Sequence, residues 1–186
     1  MACNTLQNRY EPCKEFVGGL RGVFLVPYSP TDVVTKDGAG LVTSINNGAS
    51  PTPANSTAYF FELKGLSTLE IAGASSRDNG NTSYTQTLTL SLKPSGSTPA
   101  SAESDKDIFE TLDKGRWRVI VWDRNNVFSL VGETEGMDAT TDGGSWGVQM
   151  GDARLNTIVL VGMEKSQRAI VDAESYSDMS TVVAID

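Results

Sequence analysis

The chain has 186 residues and a net charge of −8, from 23 acidic and 15 basic residues, with no histidine. That length suits one domain with a real core, or one domain with long arms. The missing histidine excludes every Ser-His-Asp or Cys-His arrangement, and the negative balance speaks against sequence-specific nucleic-acid binding, which needs clustered Lys and Arg.

Residues 1–19 read as an N-terminal arm of mixed polarity, punctuated by Pro12 and Gly18-Gly19. They hold no apolar stretch of signal-peptide length, so synthesis and folding in a cytosol are expected. Cys3 and Cys13 cannot build a zinc site within one chain that lacks His. A disulfide between them would be unusual in a reducing compartment, and they are read as free thiols in the arm or its docking site.

Residues 20–28 (LRGVFLVPY) form a first strand whose nearly continuous apolar content predicts cover on both faces. Residues 29–57 are turn-rich and weakly apolar. A hairpin between Val33-Val34 and Leu41-Val42 through Lys36-Asp37-Gly38 is plausible. A loop this long in a compact domain is usually functional or disordered, and it is read as an interaction loop that orders against a neighbouring subunit rather than as plain disorder. These four residues are the candidates for contact with a neighbouring subunit. Residues 58–64 and 68–72 are short strands around Gly65. Residues 77–81 (RDNGN) read as a turn, since the wider spacing of a calcium loop is missing.

Residues 84–93 (YTQTLTLSLK) alternate cleanly. Tyr84, Gln86, Leu88, Leu90 and Leu92 share a core face, while Thr85, Thr87, Thr89, Ser91 and Lys93 face water or a wet lumen. A helix is predicted over 104–114, with Ser104 as N-cap, Asp105 and Asp107 in the first turn, and Gly115 as a left-handed cap. Residues 117–123 (WRVIVWD), an Asn125-Asn126 turn and residues 127–133 form a hairpin. Arg116 and Arg118 share one strand face, read as exposed and flanked by acidic neighbours. An irregular acidic, glycine-rich crossing (135–144) leads to a last core strand over 155–163. Residues 173–186 are either an edge strand or a second arm. No apolar run is long enough to span a membrane.

Two features point to function without chemistry. Glu133, Glu135, Asp138 and Asp142 form a run with no Lys or Arg between residues 125 and 153, which suggests a negative surface kept free of cations. The long loop and two arms suggest parts that reach neighbouring copies, as closed rings require. No phosphate-cradling glycine loop is present. Asp138 and Asp142 are the nearest candidates for a glycosidase pair but read better as a solvated loop, so no enzyme and no cofactor are expected. A carbohydrate-binding or adhesin-type module is the alternative. Trp117, Trp122 and Trp146 would supply stacking rings for it, although Trp117 and Trp122 have opposite strand parity.

The order of elements TLTLSLK, DIFETLDKG, VIVWDRNNVFSLVGETEG and MGDARLNTIVLVGMEK resembles phage tail tube proteins and the related ring proteins of crAss-like and other Bacteroides-type phage tails. The likeness covers residues 58–172. It departs at Arg154-Leu155-Asn156, where the family has a glycine-aromatic pair, and at the loop 29–57, which leaves tube subunit and single-layer ring or connector both open. The resemblance implies a mainly β domain (20–172), a β-sandwich or split barrel with one short flanking helix. It implies hexameric or higher rings joined through sheet strands, contact with neighbouring tail or connector proteins, and DNA passing through the lumen without specific binding. Location in the virion, after assembly in the host cytoplasm, follows from the same likeness. A negative lumen would repel phosphates, and Thr85, Thr87, Thr89, Ser91, Glu133, Glu135, Asp138 and Asp142 are the candidates for its wall or rim.

Overall fold

The computed structural model describes residues 17–46, 57–76, 80–149 and 152–186. The arm before residue 17, both cysteines, most of the RDNGN turn and the Pro51–Pro53 stretch lie outside the described residues. Among the described residues the fold is mainly β, with two sheets, one long helix and one short helix. Its elements are β1 (Leu20–Pro27), β2 (Val33–Lys36), β3 (Val42–Asn46), β4 (Thr57–Glu62), β5 (Thr68–Ser76), β6 (Asn81–Leu92), α1 (Pro99–Lys114), β7 (Arg116–Asp123), β8 (Phe128–Val131), β9 (Met137–Ser145), β10 (Leu155–Glu164), β11 (Ala169–Ile170), α2 (Met179–Val182) and β12 (Ala184–Ile185). The larger sheet runs β12-β4-β1-β7-β9-β10-β6-β5, with β8 joining β7 to β11; β2 and β3 pair separately. No described helix is long and apolar enough to cross a membrane.

Two cores explain the apolar pattern. The first gathers Val23 and Leu25 of β1, Val119 and Val121 of β7, Leu88 and Leu90 of β6, Ile158 and Leu160 of β10, and Phe109 and Leu112 of α1. Strands far apart in the sheet order share it, so the sheet closes over this core and α1 seals it. The second takes the alternate residues Phe24, Val26, Ile120 and Trp122, and covers them with Val42, Ile45, Val171, Met179 and Val182. β1 is therefore buried on both faces, as its continuous apolar run predicts.

The β2–β3 hairpin forms, with a turn that runs on to Gly40 (φ +88°) and is tied by the Asp37 carboxylate to the amides of Ala39 and Leu41. Its role differs from the expectation. Val42 is fully buried in the second core, and Val34 packs against that core. The carbonyl of Val42 accepts from Asp172 N at 2.9 Å. Half of the candidate inter-subunit residues thus serve the chain's own fold. Leu41 is half-buried, and only Val33 stands mostly exposed.

The helix starts earlier than the acidic residues suggest. Thr98 is the N-cap, in a capping box with Ser101, and Pro99 occupies the first turn, where its missing N–H costs nothing. Ser104 lies inside the helix, and Asp105 accepts from Ser95 N at 2.9 Å, tying down the preceding loop. Gly115 is extended (φ −94°, ψ 161°), not left-handed. Glycine is needed there for room: a Cβ would sit 2.7 Å from the Trp117 ring, whose Nε1 donates to Leu112 O at the helix end.

Residues 137–145, expected to be irregular, form β9, because β10 pairs along their whole length from Asp138 to Ser145. The C-terminal segment is docked. α2 buries Met179 and Val182, and β12 adds a short parallel edge to β4 at Thr57 and Ala58.

Arg118, expected on an exposed face, is buried. Its guanidinium pairs with Asp32 at 2.9 Å, with both side chains only 4% exposed, donates to the carbonyls of Ser29 and Glu133, and lies over the Tyr28 ring. Removing one member of such a pair strands the other charge. Asp32→Ala is expected to lower unfolding free energy by about 3–5 kcal/mol; urea denaturation measures it, and a loss well under 1 kcal/mol would rule out this role.

Candidate functional surfaces

β7 offers one edge to two strands. β8 takes Val119 to Trp122, and β9 takes Arg116 and Trp117. The chain between them, residues 132–136, leaves the sheet as a bulge, turned by Gly132 (φ +66°) and Gly136 (φ +76°). A Cβ at Gly132 would meet Met137 Cγ at 2.8 Å, and one at Gly136 would meet Arg116 Cγ at 2.7 Å.

Buried polar side chains satisfy the backbone of this bulge. Gln86 accepts from Gly132 N and donates to Gln167 O, both at 2.7 Å. Glu164 accepts from Thr134 N at 2.7 Å and Glu135 N at 3.0 Å. Arg118 Nε donates to Glu133 O, and the Tyr28 hydroxyl donates to Thr134 O, each at 2.9 Å. Gln86 sits among the apolar residues of its strand face for this reason.

The acidic run is therefore rigidly placed, but it is not one cation-free surface. Glu133 pairs with Lys36 at 2.6 Å, and Asp138 makes a two-point pair with Arg116 at 3.1 and 3.2 Å. Both cations come from elements distant in sequence. Glu135 is exposed on the bulge. Asp138 and Asp142 lie on opposite faces of β9, opposite Val161 and Ile158 respectively. Asp142 faces α1, lining a groove with Lys106 and Phe109, so the two carboxylates cannot flank one bound substrate.

The Thr ladder holds together as a surface. Thr85, Thr87, Thr89 and Ser91 are half-buried and stand opposite Met163, Val161, Val159 and Thr157 of β10. On the other side β5 sets Ala72, Glu70 and Thr68 against Thr85, Thr87 and Thr89. Thr141 of β9 continues the row of Val159. No Lys or Arg occupies any of these paired positions. Glu70, the carboxylate on the border strand of this face, was not singled out from sequence; the parity of residues 68–72 combined with an antiparallel register to 84–93 would have found it.

Of the three tryptophans, Trp117 and Trp122 are core residues, 6% and 7% exposed, while Trp146 is 68% exposed. The sugar-stacking alternative retains a single ring. Comparison with protein-family models, with curated proteins and with solved structures returns no match.

Past β9, Asp152 accepts from Val148 N at 2.7 Å and Gln149 N at 2.8 Å, and these two bonds hold its carboxyl below the ordinary value of 3.8. A depressed carboxyl contributes order above its unfolded value and loses it as pH falls through the folded one. The protection of the Val148 and Gln149 amides, their exchange rate relative to that of an unstructured peptide at the same pH, is expected to fall on acidification below that ordinary value, and at neutral pH in Asp152→Ala. NMR exchange measures both; unchanged rates in the variant would remove the carboxylate from this role. In the bulge, Gln86→Leu strands the Gly132 amide and is expected to cost about 1–3 kcal/mol in a denaturation experiment.

Proposed function

We propose that the protein is a structural subunit of a phage tail, forming a ring or tube around the DNA-ejection channel through sheet contacts between copies. One observation carries this reading: the strands β9-β10-β6-β5 present an uncovered hydroxyl and aliphatic face, and that face ends at an unprotected strand edge. Among the described residues no strand pairs with the outer edge of β5. Its nine-residue register with β6 runs without a bulge, and it holds one charge, Glu70, and no proline. Natural monomers usually guard such edges with Lys, Pro, bulges or cover. Here the guard is a second copy, and head-to-tail pairing closes a ring.

The face beside that edge suits a channel wall. Hydroxyls, valines and Glu70 dominate it, and Arg116 at the end of the Val161 row is already paired with Asp138, so DNA slides without sticking. A β-sandwich or split barrel of the tail tube type is the architecture this reading implies. Its partners are copies of itself in a hexameric or higher ring and neighbouring tail or connector proteins, with assembly in the host cytoplasm and residence in the virion.

Size-exclusion chromatography with light scattering, followed by negative-stain microscopy, tests the reading. Rings or tubes are expected, and a strict monomer at all concentrations overturns it. Successive residues of a strand point their N–H groups to opposite edges. Of Ile71→Pro and Ala72→Pro, one therefore removes an outward donor and is expected to stop assembly while leaving the monomer folded.

A further inference from the structure

The loop after β9 holds apolar side chains in water by design of its backbone. Trp146 is 68% exposed and Val148 96% exposed. Gly147 takes φ +72°, where a Cβ would meet Asp152 Cβ at 2.5 Å, and Asp152 clamps the amides of Val148 and Gln149. Asp152 N closes the turn onto Gln149 O at 3.0 Å. Arg154 lays its guanidinium over the Trp146 ring at 5.2 Å. The result is a preorganised knob with an indole, a valine and a positive charge. Rigid exposed aromatics of this kind mark binding surfaces.

On the other side of α1 lies a groove of about 650 Å³. Tyr59, Phe61, Ile108 and Trp117 line it, and Asp107 and Asp186 are exposed beside them. The knob adjoins the opposite flank of the helix, where Trp146 and Arg154 share a groove with Lys106 and Phe109. One molecule thus carries an apolar projection bearing Arg154, beside a groove that also holds Asp105, Glu110 and Asp142, and an apolar, acid-rimmed recess on the opposite flank of one helix. They cannot meet within a chain, because α1 stands between them.

We infer that the Trp146–Val148 knob of one copy docks in the α1–β4 groove of the next, with Arg154 facing Asp107 and Asp186. The contact is heterologous, since knob and groove are different surfaces, so it propagates from copy to copy until a ring closes. It rests on the reading that copies of this chain associate, and it adds a side-chain lock distinct from the β5 edge.

Sedimentation velocity on the full chain tests it. Val148→Asp disables the knob and Thr111→Lys fills the groove; both positions are exposed. Each is expected to weaken self-association about thirtyfold, the scale of a lost hot spot. Mixing the two variants leaves one intact knob facing one intact groove. The mixture is then expected to associate more tightly than either variant alone, and that gain also reports that both variants fold. Arg154→Glu is expected to weaken association, and Asp107→Arg in the same chain to restore it. Variants that assemble like the parent, while the β5 proline variant does not, overturn the knob contact and leave the strand-edge reading standing. A mixture that stays monomeric overturns the knob contact as well. A parent chain that is monomeric throughout overturns both.

Discussion

The division of one edge of β7 between β8 and β9 constrains most of what surrounds it. Two strands on one edge require the chain to leave the sheet between them, and the bulge at 132–136 is that departure. A bulge next to two cores exposes amides and carbonyls where water is scarce, and each unmet group carries a desolvation penalty. Gln86, Glu164, Arg118 and Tyr28 meet these groups from β6, β10, β7 and the end of β1. Elements that sequence separates by dozens of residues are thereby pinned to one point. Asp32 and Lys36 extend the same network into the β2–β3 hairpin. The polar residues that break the apolar alternation are the ones that fix how the closed half of the sheet meets the open half.

That junction divides the molecule by use. On one side of it, β1, β7 and β8 are covered on both faces and serve as frame, with β4 beside them covered on its Ala58 face. On the other, β9, β10, β6 and β5 have a core face and an uncovered one. The uncovered face combines hydroxyls that tolerate water with valines that tolerate its absence, and where the row of Val161 reaches a cation, Arg116, Asp138 neutralises it. A surface of this kind holds nothing tightly, which suits a passage better than a binding site. The assembly surfaces we propose are the strand border of β5 and the two flanks of α1.

Short-range patterns were legible in the sequence. The alternation of residues 84–93, the hairpin after Trp117 and the two-faced burial of β1 follow from side-chain parity alone, and the structure has all three. Features that depend on distant partners were not. Glu133 and Asp138 stood in a stretch without cations, but Lys36 and Arg116 reach them across the fold. Val34 and Val42 looked like material for a neighbour because the second core that uses them is assembled from the C-terminal third. Asp138 and Asp142 belonged to one loop in sequence, and strand pairing sent them to opposite faces. The helix start was misplaced because Ser104 with its acidic followers mimics a cap, while Thr98-Pro99 held the actual one with a serine in the role usually filled by Glu.

The pairing of β1 with β7 also sets an order of events at the ribosome. Val23 to Val26 are apolar on both sides, yet their first core draws on β7, which begins at Arg116, and on Ile158 and Leu160 of β10. The nascent chain therefore carries a naked hydrophobic ribbon through most of its synthesis, with β4 as the earlier neighbour on offer. Long-range closure of this kind is slow, and the first core cannot be complete until translation has passed β10.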